Sequence, residues 1–326
     1  MSDLATPEAV GTRGPTAAGG VLRSALVWVL RLLVVTLGIL TILFFLLRLS
    51  GDPAAVVAGA GATDAQVEQV RVSLGLDQPL LTQYAQFLAD TARLDFGSSL
   101  LTDQPALGMV LDRMPATLLL AAITIVVSTL IGVPLGVLAA ARHRRTTGRL
   151  LSLLAALLQA VPSFLLGILL LLVLGLHLGW LPTYGSGTPV HLVLPVATLA
   201  AITIARIVRL TRSGVLQALG QEFTGAALAR GATRRRVLWN HALRNALVPL
   251  TAFVTIEVAH LISGAVIVES LFAYDGVGRQ LVDSIFRRDY PVVQATVFVI
   301  AVLVVLISAA GDLLLHRLDP RMRREA

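Results

Sequence analysis

The chain has 326 residues, of which 56% are hydrophobic and only 14% charged, and its mean hydropathy of +0.82 excludes an ordinary soluble domain in favour of a polytopic membrane protein. The net charge is +7, and all 26 basic residues are arginine; without the phosphate-binding lysine of a P-loop or the strand lysine of a kinase, the chain is no conventional ATP hydrolase or kinase. The absence of cysteine removes disulfides, thiolate zinc sites, iron–sulfur clusters and thiol catalysis.

Residues 1–24 read as a cytoplasmic tail, and the Gly-, Pro-, Ala- and Thr-rich stretch 1–20 is expected to be disordered. A helix needs about 20 apolar residues to cross the hydrocarbon layer. Stretches 25–47, 115–141, 150–176, 190–210, 247–269 and 291–315 meet that length. The first is too long for a cleaved signal peptide, and no small-residue cleavage site follows it.

The loop at 48–113 carries eight acids, Asp52, Asp64, Glu68, Asp77, Asp90, Asp95, Asp103 and Asp112, against four arginines. The 142–149 loop, the 209–245 stretch and the tail at 316–326 are arginine-rich instead. The positive-inside rule then places both termini in the cytoplasm and the 48–113 loop outside. Within that loop, Thr63-Asp64-Ala65-Gln66 is a capping-box start for a helix ending near Leu74-Gly75. Leu81, Tyr84, Leu88 and Leu94 predict a second helix after Pro79. The expectation is a packed extracytoplasmic lid with no ligand of its own.

Arg206, Arg209 and Arg212 recur every third residue near the end of the fourth span. That is the spacing of a voltage sensor, but the repeat stops after three at the membrane boundary, so snorkelling anchors are expected. Glu257 and His260 share one face of the fifth span near mid-membrane. They read either as pathway lining or as a buried hydrogen-bonded pair that fixes helix packing. Pro134, Pro162, Pro195 and Pro249 suggest kinked helices. The six histidines lack metal-ligand spacing, and no constellation for a membrane-embedded hydrolase is present. No catalytic, cofactor-binding or metal-ligating residues are expected.

The longest polar interval between two spans is 221–249. Ala226, Ala227 and Ala229 form a small-residue helix, Arg230 suits its last turn, and Gly231 can take the left-handed conformation that ends it. Thr233 then caps a second helix running into the membrane past Pro249. Such a short helix, tied at both ends to spans, is suited to being gripped by a partner.

This interval resembles the coupling loop of ABC importer inner-membrane permeases, specifically the dipeptide/oligopeptide/nickel family. Placing the glycine of the Glu-Ala-Ala…Gly…Leu-Pro motif on Gly231 sets its alanines on Ala226 and Ala227 and its leucine on Leu243. Gly225 stands where the general motif has Glu, and Arg244 where it has Pro. The stretch from His241 to Pro249, HALRNALVP, is similar to the peptide branch at the second of these points. Gly51-Asp52-Pro53, Leu74 to Leu80, Leu94-Asp95-Phe96-Gly97, Pro115-Ala116-Thr117, Pro134-Leu135-Gly136, Trp180-Leu181-Pro182, Arg288 to Gln294 and Leu318 to Arg321 extend the resemblance along the chain.

The resemblance implies an all-α membrane protein of the type I importer permease fold, with six transmembrane helices and a small helical extracytoplasmic loop. It divides the chain into a first span at 25–47, the loop at 48–113 and a five-helix permease core at 114–315. The function implied is that of a permease subunit in the bacterial inner membrane. With a second, homologous permease it would form the pathway for peptides or a related small solute. Two ABC ATPase subunits would hydrolyse ATP, and an extracytoplasmic solute-binding protein would deliver the solute. Glu222, Gly225, Ala226, Ala227, Arg230, Gly231, Leu243 and Arg244 would couple to the ATPase, with Glu257 and His260 as candidates along the pathway. The competing reading is a secondary transporter driven by an ion gradient, for which inverted repeats and midplane charges would be expected.

Overall fold

The computed structural model describes residues 17–49, 52–59 and 61–318. Residues 1–16, Ser50, Gly51, Ala60 and 319–326 lie outside the described residues, and with them most of the stretch 1–20 expected to be disordered, the match at Gly51 and the C-terminal tail from Asp319. Among the described residues every regular element is helical, apart from a single bridge, Ser98 to Pro105.

Helix α1 (Ala17–Leu49) begins earlier than the first predicted span. Its buried positions Thr36, Leu40, Phe44 and Leu47 recur at helical spacing and form one stripe, while Val34, Ile42 and Leu46 are exposed. The stripe meets Tyr290 and Val293 of the last helix, so α1 is fastened along one side only. Helix α2 (Pro53–Ala58) is capped by Asp52, which accepts from the Ala54 amide at 3.0 Å. Helix α3 (Asp64–Ser73) opens with the predicted capping box of Thr63 and Gln66 and stops at Leu74, where Gly75 turns to φ +65°. Helix α4 (Leu80–Ala92) follows Pro79 and stops short of Leu94, which turns to φ +60° beyond it. No residue of α3 is buried. The lid is instead pinned to α1 through α4: Tyr84 shares a 2.7 Å hydrogen bond with Thr41, and Arg48 donates twice to Gln83 Oε1 at 3.0 and 2.8 Å. Phe44 packs between Tyr84 and Phe87.

Helix α5 (Ala106–Ala141) has 36 residues and is therefore about 54 Å long, well beyond the apolar layer. It packs most closely on α8 (Val193–Leu219), which the 3₁₀ segment Pro189–Leu192 precedes. Two glycines permit the approach. A Cβ on Gly132 would lie 2.7 Å from Ile207 Cγ2, and one on Gly136 would lie 2.6 Å from Thr211 Cβ and 2.9 Å from the Val208 carbonyl. Small residues at helix contacts let backbones close together where water supplies no driving force.

Residues 150–176, expected as one span, are sharply bent. Helix α6 (Thr146–Ala160) and helix α7 (Ser163–Leu170, continued by a π segment Leu171–His177) meet at 100°. Pro162 supplies no amide proton and forces Val161 into an extended conformation, φ −87°, ψ 125°. Each arm has 15 residues, about 22 Å of helix, too short to cross a layer of about 30 Å alone. The described residues thus contain five helices of membrane-spanning length and composition, or six if the bent pair makes one span. Of the other prolines expected to kink, Pro134 and Pro249 lie inside continuous helices and Pro195 in the first turn of α8.

Helix α9 (Glu222–Ala229) follows α8. The chain then runs as helix from Arg234 to Leu271: α10 (Arg234–Arg236), a π turn Val237–Ala242, and α11 (Leu243–Leu271). Helices α12 (Val277–Phe286) and α13 (Tyr290–Leu318) complete the fold. The main core joins Leu120 and Ala121 of α5, Leu194 and Leu199 of α8, and Leu261, Ile262 and Val268 of α11.

Candidate functional site: a tethered helix and a buried ion pair

Helix α9 is defined at both ends by local chemistry. At its start, Thr224 shares its hydroxyl proton between the carbonyls of Leu219 (2.9 Å) and Gln221 (2.7 Å), tying the helix to the end of α8. At its end, Gly231 takes φ +86°. The Gly231 amide bonds the Leu228 carbonyl at 2.9 Å and the Ala232 amide bonds that of Ala227 at 3.1 Å, the paired closure of a Schellman motif. Thr233 accepts from the Arg236 amide at 3.3 Å and starts the next helix as its spacing predicted.

The coupling candidates divide by burial. Glu222, Gly225, Ala226, Arg230, Gly231 and Arg244 are exposed. Ala227 and Thr224 are buried, and Leu243 lies in a cluster with Val137 of α5, Val215 of α8 and Ala246. Ala227 and Leu243 therefore do not present themselves to a partner. The small face expected of the three alanines is divided between inside and outside, because neighbours in sequence lie about 100° apart on a helix. The outward surface carries Phe223 and Leu228, each large, apolar and exposed, which the alanine pattern had concealed. A Cβ at Gly225 would meet nothing within 4 Å, so the missing side chain leaves open surface rather than a packing requirement.

Midway along α11, Glu257 is only 3% exposed. Its carboxylate accepts from Arg206 Nη1 at 3.0 Å to each oxygen and from the Thr203 hydroxyl at 3.0 Å. This corrects the expectation for the arginine repeat: Arg206 is no boundary anchor, because it neutralises a carboxylate that lipid-depth burial would make costly. It also corrects the expected packing pair, since Glu257 takes α8 partners rather than His260. His260 is exposed and lines a cavity of about 450 Å³ with Arg206, Arg209, Phe253, Ile256 and Glu257.

A third polar centre went unread in the sequence. Glu269, fully buried near the other end of α11, accepts the Thr117 hydroxyl on Oε1 at 2.7 Å. Its Oε2 accepts the amides of Gly278 (2.7 Å) and Arg279 (3.2 Å), while Thr117 Oγ1 accepts that of Val277 at 2.9 Å. The first three amides of α12 are thus satisfied from α5 and α11. Gly276 allows the approach, as a Cβ there would lie 2.3 Å from the Glu269 carboxylate. Beside it, burial first and the Glu269 charge second push the Tyr274 phenol above its usual range, keeping it a donor to the Ala116 carbonyl at 3.3 Å. The readable signal was a carboxylate ending an apolar run, followed within nine residues by Gly276-Val277-Gly278.

Comparison with known proteins places this architecture. The chain belongs to the family described as the binding-protein-dependent transport system inner membrane component: that model matches residues 132–324, and the model for the N-terminal part of such membrane components matches residues 21–121. It is therefore a multi-pass inner-membrane permease, a transport component rather than an enzyme. It is 38% identical over 310 residues to the probable peptide ABC transporter permease protein y4tP of Sinorhizobium fredii, covering 91% of this chain and 99% of that one. It is 36% identical over 293 residues to the glutathione transport system permease protein GsiC of Escherichia coli K12, covering 89% and 96%. Among solved structures, a chain of the inward-facing MetNI methionine ABC transporter superposes with a TM-score of 0.54 at 19% identity, over 66% of this chain and 98% of that one. This likeness concerns the fold.

Proposed function

We propose that this permease forms, with a second homologous permease, the pathway of an ATP-driven importer for small peptides. Two ABC ATPase subunits in the cytoplasm drive it, and an extracytoplasmic binding protein delivers the solute. Peptides are favoured because the relatives that cover nearly the whole chain are named for peptide and glutathione transport. The arginine-rich 142–149 and 209–245 stretches support a cytoplasmic α9 and cytoplasmic termini.

The observation that carries the coupling role is α9 itself. It is a short helix closed by a Schellman turn, tethered through Thr224 to α8 and continuous after Thr233 with α11. Force applied to its exposed face of Phe223, Ala226 and Leu228 reaches two membrane helices through rigid contacts, as two-state closure requires. Ala227 and Leu243 transmit that force inward, and Glu222, Arg230 and Arg244 supply polar contacts at the rim.

The test replaces exposed Ala226 with Trp in the reconstituted complex. ATP hydrolysis is expected to continue while solute uptake falls at least about tenfold, the scale of lost contacts in a packed interface centre. Unchanged uptake would remove α9 from the coupling role. Uptake driven by an ion gradient without ATPase subunits would establish the secondary transporter instead.

A further inference from the structure

The cavity between α8 and α11 contains more positive charge than its structure uses. Arg206 spends one nitrogen, Nη1, on both oxygens of Glu257; its Nε and Nη2 have no hydrogen-bond partner among the described residues. Its side chain remains 41% exposed although the carboxylate it holds is almost fully buried. One turn further on, Arg209 is exposed on the same wall and makes no ion pair among the described residues. A pin that served only to join two helices would need neither the outward nitrogens of Arg206 nor a second guanidinium. Two arginines against one glutamate leave one surplus positive charge inside the cavity.

We propose that this cavity is a carboxylate-binding station on the solute pathway, in which Arg206 and Arg209 bind the free terminal carboxylate of a peptide. The proposal deepens the permease reading and rests on it. A planar carboxylate matches the forked donors of a guanidinium, and its single charge cancels the surplus, whereas a phosphate dianion would leave the cavity net negative. Glu257 and Thr203 are positioning residues: Glu257 fixes Nη1, Thr203 holds the Glu257 carboxylate, and together they aim the rest of the Arg206 head. Phe253 and Ile256 supply apolar wall for the neighbouring side chain. The volume of about 450 Å³ lies within the range of about 300–1,000 Å³ usual for small-molecule sites.

The experiment uses the purified permease–ATPase complex without its binding protein, and measures equilibrium binding of tri-alanine and of tri-alanine C-terminal amide. The wild type is expected to bind the acid more than about tenfold tighter than the amide, the scale of one charge-assisted hydrogen bond. Arg209→Gln should abolish that preference without touching the buried pair. Because Arg206→Gln alone would strand a buried carboxylate, the second variant is the double Arg206→Gln/Glu257→Gln, which leaves the net charge of the cavity unchanged and should also lose the preference. Equal binding of acid and amide by the wild type, binding of neither, or an intact preference in both variants overturns the proposal. ATP-dependent uptake by the wild type would survive any of those outcomes, so the permease reading fails separately, only if uptake proves independent of the ATPases.

Discussion

Replacing Glu269 isolates the polar centre that fastens α12. In Glu269→Ala the amides of Gly278 and Arg279 lose their acceptor, and the Thr117 hydroxyl loses its own. A buried donor left without a partner costs about 1–3 kcal/mol, so two amides and one hydroxyl, part of whose loss local relaxation recovers, give roughly 3–5 kcal/mol, the range seen for broken buried charge pairs. Glu269→Gln keeps an oxygen for the two amides and a nitrogen that Thr117 can accept from. It loses the charge assistance and turns the Thr117 hydroxyl from donor to acceptor, together about 1–2 kcal/mol. The assay is amide hydrogen exchange across 272–286 in detergent or nanodiscs. At 1.4 kcal/mol per tenfold, Glu269→Ala should accelerate opening of this segment by about 100-fold or more, with Glu269→Gln about tenfold. Ser270→Ala, which loses only an intrahelical bond to Val266, should leave exchange unchanged. If Glu269→Ala and Glu269→Gln exchange alike, or neither differs from wild type, the carboxylate does not hold α12 and the reasoning fails.

Gly231→Ala should destabilise the α9–α10 turn by about 1–2 kcal/mol, because an L-residue is strained at φ +86°, whereas Gly225→Glu should fold normally, with open space around its Cβ. Limited proteolysis of this turn distinguishes the two, and cleavage enhanced equally in both would contradict the assignment. Gly136→Leu should lower the melting temperature of the purified protein, since Thr211 and the Val208 carbonyl occupy the place of its Cβ. Overpacking of this kind costs about 1–3 kcal/mol. Gly38→Ala, facing open space on α1, should be neutral in the same melt.

The apolar runs, the capping box at Thr63 and the turn at Gly231 were legible because each follows from local chemistry: length, side-chain acceptors and a residue that tolerates positive φ. The break at Val161-Pro162 was visible as a proline. Periodicity cannot tell a tolerated proline such as Pro249 from one that reorients the chain, since the outcome depends on what the freed carbonyls and flanking helices find to pack against. Helix α12 was missed because its amphipathic run of ten residues is short and finds its stabilisation in Thr117 and Glu269, far away in sequence. The partner of Glu257 lies 51 residues back on α8, so only the fold could convert an apparent boundary arginine into its counter-ion. Exposure likewise needed the fold: Ala226 and Ala227 are equivalent in the motif, yet one faces outward and the other inward.

The most direct measurement of the central claim is purification of the tagged permease in mild detergent, followed by reconstitution with the chains that accompany it. The account predicts recovery of two P-loop ATPases and a second permease, and peptide uptake that requires ATP and the binding protein. Recovery of this chain alone, still transporting in proteoliposomes under an ion gradient without ATP, would contradict it.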